Sequence, residues 1–171
     1  MQHLRYPIGQ HQAPTHSNWD AVQMHIGEIA ALPTQFRRVA ESLTVPQLGT
    51  PYRPGGWTAQ QVIHHVPDSH INSYVRFRWA LTETEPTIKA YDEQSWANLP
   101  DAQTAPIHLS LNLLDSLHAR WVRLLESMTE ADFQKTLIHP TGGKMHLYEM
   151  VSSYAWHGKH HLAHLQLVAN Q

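Results

Sequence analysis

A chain of 171 residues with 42% hydrophobic and 15% charged side chains is globular rather than disordered, and suits one domain with a core of its own. A formal net charge of -2 offers no basic field for nucleic acid, and the absence of cysteine excludes disulfides, thiolate nucleophiles and cysteine-ligated zinc. Any metal must therefore be held by imidazole, carboxylate or water, and 15 histidines supply the first of these.

Residues 1–16 mix Pro, Gly, Gln and His without a period and read as an extended N-terminal arm over a single domain spanning 1–171, with no chemistry assigned to the arm. Met1 to Gly9 lacks the apolar run of a signal peptide, and no window approaches the roughly 20 apolar residues of a membrane span, so the expected setting is cytoplasmic with no membrane partner. From Asn18, a suitable N-cap, Val22, Ile26, Ile29, Phe36, Val39 and Leu43 recur at helical spacing, predicting a first amphipathic helix with a break or kink before Pro33. Residues 46–56 carry three Pro and three Gly and are expected to form an ordered loop.

A second helix is expected from Trp57 and Thr58 to about Glu83, interrupted at Pro67. A proline inside a helix frees the carbonyl four residues earlier, here that of Ile63, at about 3 kcal/mol unless compensated, and such a kink beside His64, His65 and Asp68 suggests a site. Residues 84–104 read as a long loop with one short helical turn; loops of this length commonly cover or line a binding site, and Trp96 is the side chain expected to cover the pocket.

The third helix opens at Pro106 and sets Ile107, Leu111, Leu114, His118, Trp121, Leu125 and Met128 on one seam, the pattern of a bundle core. Its polar member, His118, is either a hydrogen-bonded core residue or a side chain lining the site. A short helical turn over 129–134 and a turn at Pro140, Gly142 and Gly143 precede a fourth helix from about Leu147 to Ala169.

Four histidines fall in the eight residues from His157 to His164. In a helix, His157 and His161 share one face, and His160 and His164 share another, so two pairs compete for the spacing that lets imidazoles grip one ion. Continuing the apolar seam of Leu147, Met150, Tyr154 and Val168 turns His157, His161 and His164 inward and leaves His160 on a neighbouring stripe; the inward pair is His157 with His161. On the second helix Val62, His65, Ser69 and Asn72 share a face while His64 points elsewhere, so His65 is the expected third ligand. Three neutral imidazoles with an open position suit a catalytic rather than a closed structural site.

The segment from Gly55 to Val66, with Asp68, Ser69 and His70, and the distant run from Trp156 to His164, resembles the YfiT-like branch of the DinB superfamily over nearly the whole chain. The resemblance implies an all-α four-helix bundle with long loops, a divalent metal, zinc or nickel, on His65, His157 and His161, and a homodimer. Its members' activities imply a small-molecule substrate and either hydrolysis or the transfer of a low-molecular-weight thiol, such as bacillithiol, to an electrophile. Hydrolysis calls for a general base, with Asp68 and Glu93 as candidates. Thiol transfer calls instead for cations near the mouth, with Arg53, Arg76 and Arg120 as candidates, a structural role being favoured for the first and last. His164 is expected to support a ligand from behind, and Tyr91 to line the substrate pocket. A non-catalytic metal-binding or small-ligand-binding module and a purely structural bundle are the competing readings.

Overall fold

A computed structural model describes residues 2–171 as a bundle of four long helices with short elements at the loops. The elements in order are α1 (Gln2–Arg5), α2 (Trp19–Ser42), α3 (Val45–Leu48), α4 (Ala59–Thr82), α5 (Glu93–Ala97), α6 (Pro100–Thr104), α7 (Ile107–Ser127), α8 (Glu130–Phe133), β1 (Thr136–His139), β2 (Gly143–His146) and α9 (Leu147–Ala169). Helix starts follow side-chain capping. Asn18 accepts a hydrogen bond from the Ala21 amide at the head of α2, and Thr58 and Gln61 form a reciprocal capping box at the head of α4. The Gln61 amide also donates to the Ala97 carbonyl at 2.8 Å, so the cap of α4 holds α5 in place.

Neither proline breaks its helix. Pro33 and Pro67 sit inside α2 and α4, each an unbroken helix of 24 residues. Both prolines are buried, so packing compensates the missing N–H. The sequence also reads as free of strands, yet β1 and β2 form an antiparallel hairpin pairing Thr136 with His146 and His139 with Gly143, the latter at φ 73°. Residues 86–88 run alongside it, with the Ile88 amide donating to the Ile138 carbonyl and the Ile138 amide to that of Pro86. Strands of four residues are too short to show a period against the Pro140 to Gly143 turn.

In the bundle α2 and α4 each pack chiefly against α7 and α9, which sets α2 diagonal to α4. The apolar core is divided in two. One cluster includes Ile29, Phe77, Trp121 and Val151; the other includes Phe36, Val62, Leu114 and Leu165. Between them, each of the three helices α4, α7 and α9 contributes polar side chains: His70 and Ser73, His118, and His157 with His161. The N-terminal arm lies across α9, where Trp156 donates its indole N–H to the Gly9 carbonyl at 3.2 Å and His11 meets Ser152 at 3.1 Å.

Helix α9 approaches α2 through Gly158, between the histidines at 157 and 161. A Cβ there would overlap a Leu32 methyl and come within 3.2 Å of its Cγ. Gly158→Ala is expected to lower stability by about 1–2 kcal/mol in urea unfolding, the overpacking outweighing the gain in helix propensity.

Candidate metal centre

His65 projects from α4, and His157 and His161 from the adjacent α9, one turn apart. One ring nitrogen of each lies within 4.8 Å of the other two, a grouping that could hold a metal ion. The Nε2 atoms of His65 and His157 are 3.3 Å apart. Two nitrogens each roughly 2.0–2.1 Å from one tetrahedral ion would be separated by about 3.3–3.4 Å, so the spacing suits a shared ion. Burial lowers the pKa of His65 to about 4 and those of His157 and His161 well below the ordinary value, with the neighbouring imidazoles adding to the effect for the last two. All three are neutral near pH 7, the form in which imidazole ligates a metal.

Hydrogen bonds behind the ligand pair decide which nitrogen faces the centre. The Ile29 carbonyl can only accept, so His118 donates to it from Nδ1 at 2.7 Å. A neutral His118 then has a bare Nε2, which accepts from His70 Nδ1 at 2.8 Å; His70 Nε2 in turn accepts from His157 Nδ1 at 3.1 Å. The His157 proton is thereby held on Nδ1 and the Nε2 lone pair is presented beside His65. The same logic applies on the other side: the Arg5 carbonyl accepts from His164 Nε2 at 3.2 Å, and His164 Nδ1 accepts from His161 Nδ1 at 3.3 Å. His161 also presents Nε2. Burial keeps His118 and His164 neutral, each lowered to about 4, and holds His70 well below its ordinary value, as two one-proton relays require.

Two clefts meet at this centre and share His157 and Glu93. The first, about 480 Å³, is walled by His65, His161 and Trp57 and bears Arg5, Tyr6 and Arg53 at its rim. Trp57 covers His65 with ring centroids 4.6 Å apart. The arm, expected to carry no chemistry, therefore supplies both a wall of the cleft and the carbonyl that orients His164. The second cleft, about 690 Å³, lies over Tyr91, Met145, Met150 and Tyr154 and reaches Arg76.

The remaining sequence candidates separate by position. Glu93 stands where the clefts join, at the start of α5, and the surrounding protein, followed by the charge of Asp92, raises its carboxyl pKa. Tyr91 lines the second cleft, and burial raises its hydroxyl pKa despite a hydrogen bond with Ser69. Trp96 lines neither cleft; it packs against Tyr91 at 4.6 Å between centroids and stays part-exposed. Asp68 lines neither cleft as well, and burial, with Asp101 nearby, raises its pKa to about 6. Arg120 lies over the Tyr74 ring, outside both clefts. His160 stacks on Trp156 at 4.4 Å. His70, to which the sequence gives no evident role, lies five residues beyond His65 on α4 and is fully buried.

The sequence profile described as the DinB superfamily matches residues 28–165. A Bacillus mycoides protein named "putative metal-dependent hydrolase" is 50% identical over 165 residues, 96% of this chain and 95% of that one. A Bacillus licheniformis protein of the same description is 48% identical over 167 residues, 97% and 95% of the two chains. Among solved structures, YfiT from Bacillus subtilis, described as "a probable metal-dependent hydrolase with an unusual four-helix bundle topology", superposes with a TM-score of 0.95 at 40% identity, covering 98% of this chain and 97% of its own.

Two predictions follow from the geometry. His70→Phe removes the acceptor of the His157 proton, and is expected to weaken Zn(II) affinity by about 10–100-fold in a chelator competition while keeping the binding stoichiometry. For Asp68, the folded carboxyl titrates near 6 against an ordinary 3.8, so the folded state holds the extra proton between those values and stability falls as pH rises across them. Asp68→Asn should accordingly stabilise the protein at pH 7, by about 1 kcal/mol after allowing for solvent screening, and the gain should vanish near pH 4 in urea titrations.

Proposed function

This chain belongs to the DinB superfamily, and on that premise we propose that it is a metal-dependent hydrolase whose divalent ion, zinc or nickel, is held by His65, His157 and His161. The observation that carries this reading is the convergence of three neutral imidazoles, two of them with Nε2 turned to the centre by carbonyl-anchored relays. An ion held by these three residues would supply Lewis acidity and would lower the pKa of a bound nucleophile.

The chain's own residues do the rest. His70 and His118 keep the His157 proton on Nδ1, and His164 does the same for His161, so neither ring can turn its N–H toward the centre. Trp57 excludes water from one side of His65. Glu93 is assigned the nucleophile's proton, a role supported by its lining both clefts and by a raised pKa that moves it toward the range useful for a base near neutral pH. Asp68, the other candidate, lines neither cleft and is assigned no step.

A second reading, transfer of a low-molecular-weight thiol, is favoured by one feature: two clefts meet at one centre, as a two-substrate reaction requires. Arg5 and Arg53 at the rim of the first cleft would receive the anionic groups of such a thiol.

His65→Ala is expected to lose both the bound ion and turnover, measured by elemental analysis and by cleavage of an ester and amide panel. Metal retained by that variant at wild-type stoichiometry would overturn the ligand set. Turnover of a generic electrophile that depends on added thiol, with no ester or amide cleavage, would replace the hydrolase by the transferase.

A further inference from the structure

Arg76 is the only arginine or lysine among the described residues lining the second cleft. Its side chain is more than nine-tenths buried, at 8% exposure, on the face of α4 that looks toward the hairpin. A buried guanidinium cannot shed its charge and ordinarily pairs with a carboxylate. Arg76 has no such partner: among the described residues no Asp or Glu oxygen lies within 4.0 Å of it. Its single hydrogen bond runs from Nη2 to the Lys89 carbonyl at 3.1 Å, and its Nε is buried with no acceptor. A cation taken out of water and left unpaired is costly, and an anion that pairs with it offsets part of that cost.

The rest of the cleft states what that anion is attached to. Leu137, Met145, Met150 and Tyr154 give the cleft apolar lining, and Arg76 and His157 line the same cleft from α4 and α9. His139, which lines the same cleft, is held toward its neutral form by burial and by Arg76 itself, and its Nδ1 accepts from the Gly142 amide at 3.1 Å. Asp92 and Glu93 also line this cleft. Asp92 remains ionised, its carboxylate fixed by the hydroxyl and amide of Ser95. Arg76 offers a single positive charge, and with carboxylates also lining the cleft a monoanion is admitted more readily than a polyanion such as a phosphate ester.

We infer that the second cleft is the substrate site and that it takes a carboxylate with an apolar body, the carboxylate paired with Arg76 and the reacting group directed to His157. The placement of the reacting group rests on the metal-dependent reading above, whereas the pairing with Arg76 does not. The selection works by charge: a neutral isostere meets the same apolar lining but leaves the guanidinium unpaired.

The test is calorimetric titration of the metal-loaded full chain with 4-phenylbutanoate and with its uncharged counterpart 4-phenylbutanamide. The acid is expected to bind about tenfold tighter, the equivalent of one charge-assisted hydrogen bond. Arg76→Leu should abolish that preference and Arg76→Lys should keep part of it, with the bound-metal stoichiometry unchanged in both. Equal affinity for the two probes, or no binding of the acid at millimolar concentration, overturns the inference on the wild-type protein alone, whether or not Arg76→Leu folds. A preference that survives in Arg76→Leu or fails to weaken in Arg76→Lys also overturns it, and one that instead disappears on chelation assigns the acid to the metal. A protein that carries no metal yet prefers the acid through Arg76 would sink the metal-dependent reading and leave this one standing.

Discussion

The constraint on which the structure depends is the burial of a layer of imidazoles that must each carry one proton and no charge. An ionised histidine at the waist of the bundle would lack a counter-ion, and a neutral one with either nitrogen unpaired would lose a hydrogen bond in a medium that replaces none. The observed solution passes the proton pattern from one ring to the next. It begins at the Ile29 carbonyl on α2, crosses His118 on α7 and His70 on α4, and ends at His157 on α9, so all four long helices are tied by one chain of hydrogen bonds. Buried among the apolar clusters, His118 and His70 are shielded from water, which strengthens the links they make, while His157 ends the chain at the clefts.

This layer explains why the arrangement of the helices matters. Setting α2 diagonal to α4 leaves α4 and α9 as neighbours, which is what brings His65 to face His157 and His161. It also leaves α9 against α2, where Gly158 permits a close approach at the level of the two histidines. The N-terminal arm closes the other side: Arg5 offers a carbonyl to His164, and Tyr52 stacks on the same ring at 3.8 Å between centroids. The centre is thus held by backbone acceptors at two remote points, Ile29 and Arg5, and needs no acidic side chain to orient its rings.

Much of this was legible in the chain. Asn18 and Thr58 announce their helices because a cap is a contact between residues three apart, and the seam of α7 announces a core because its period is local. The helical phase of His157 and His161 against Tyr154 is equally local. What failed was nonlocal. Pro67 looks disruptive until its burial shows what surrounds it, and Asp68 looks catalytic because it is close to His65 in sequence, although it lines neither cleft. The hairpin was missed because four-residue strands owe their pairing to each other and to residues 86–88, not to their own composition.

By itself, the sequence determined where the four long helices run, which way their faces turn, and that any metal would be held without sulfur, because capping, periodicity and composition act within a few residues; the short helices α1 and α3 and the second of the two in 84–104 were not read from it. Only the tertiary structure decided that His70 rather than a carboxylate backs His157, that the arm supports His161 through His164, and that Glu93 and Arg76 reach one cleft from different elements. Those are contacts between residues up to 159 apart, set by how the helices are arranged around a buried polar layer and invisible to any local period.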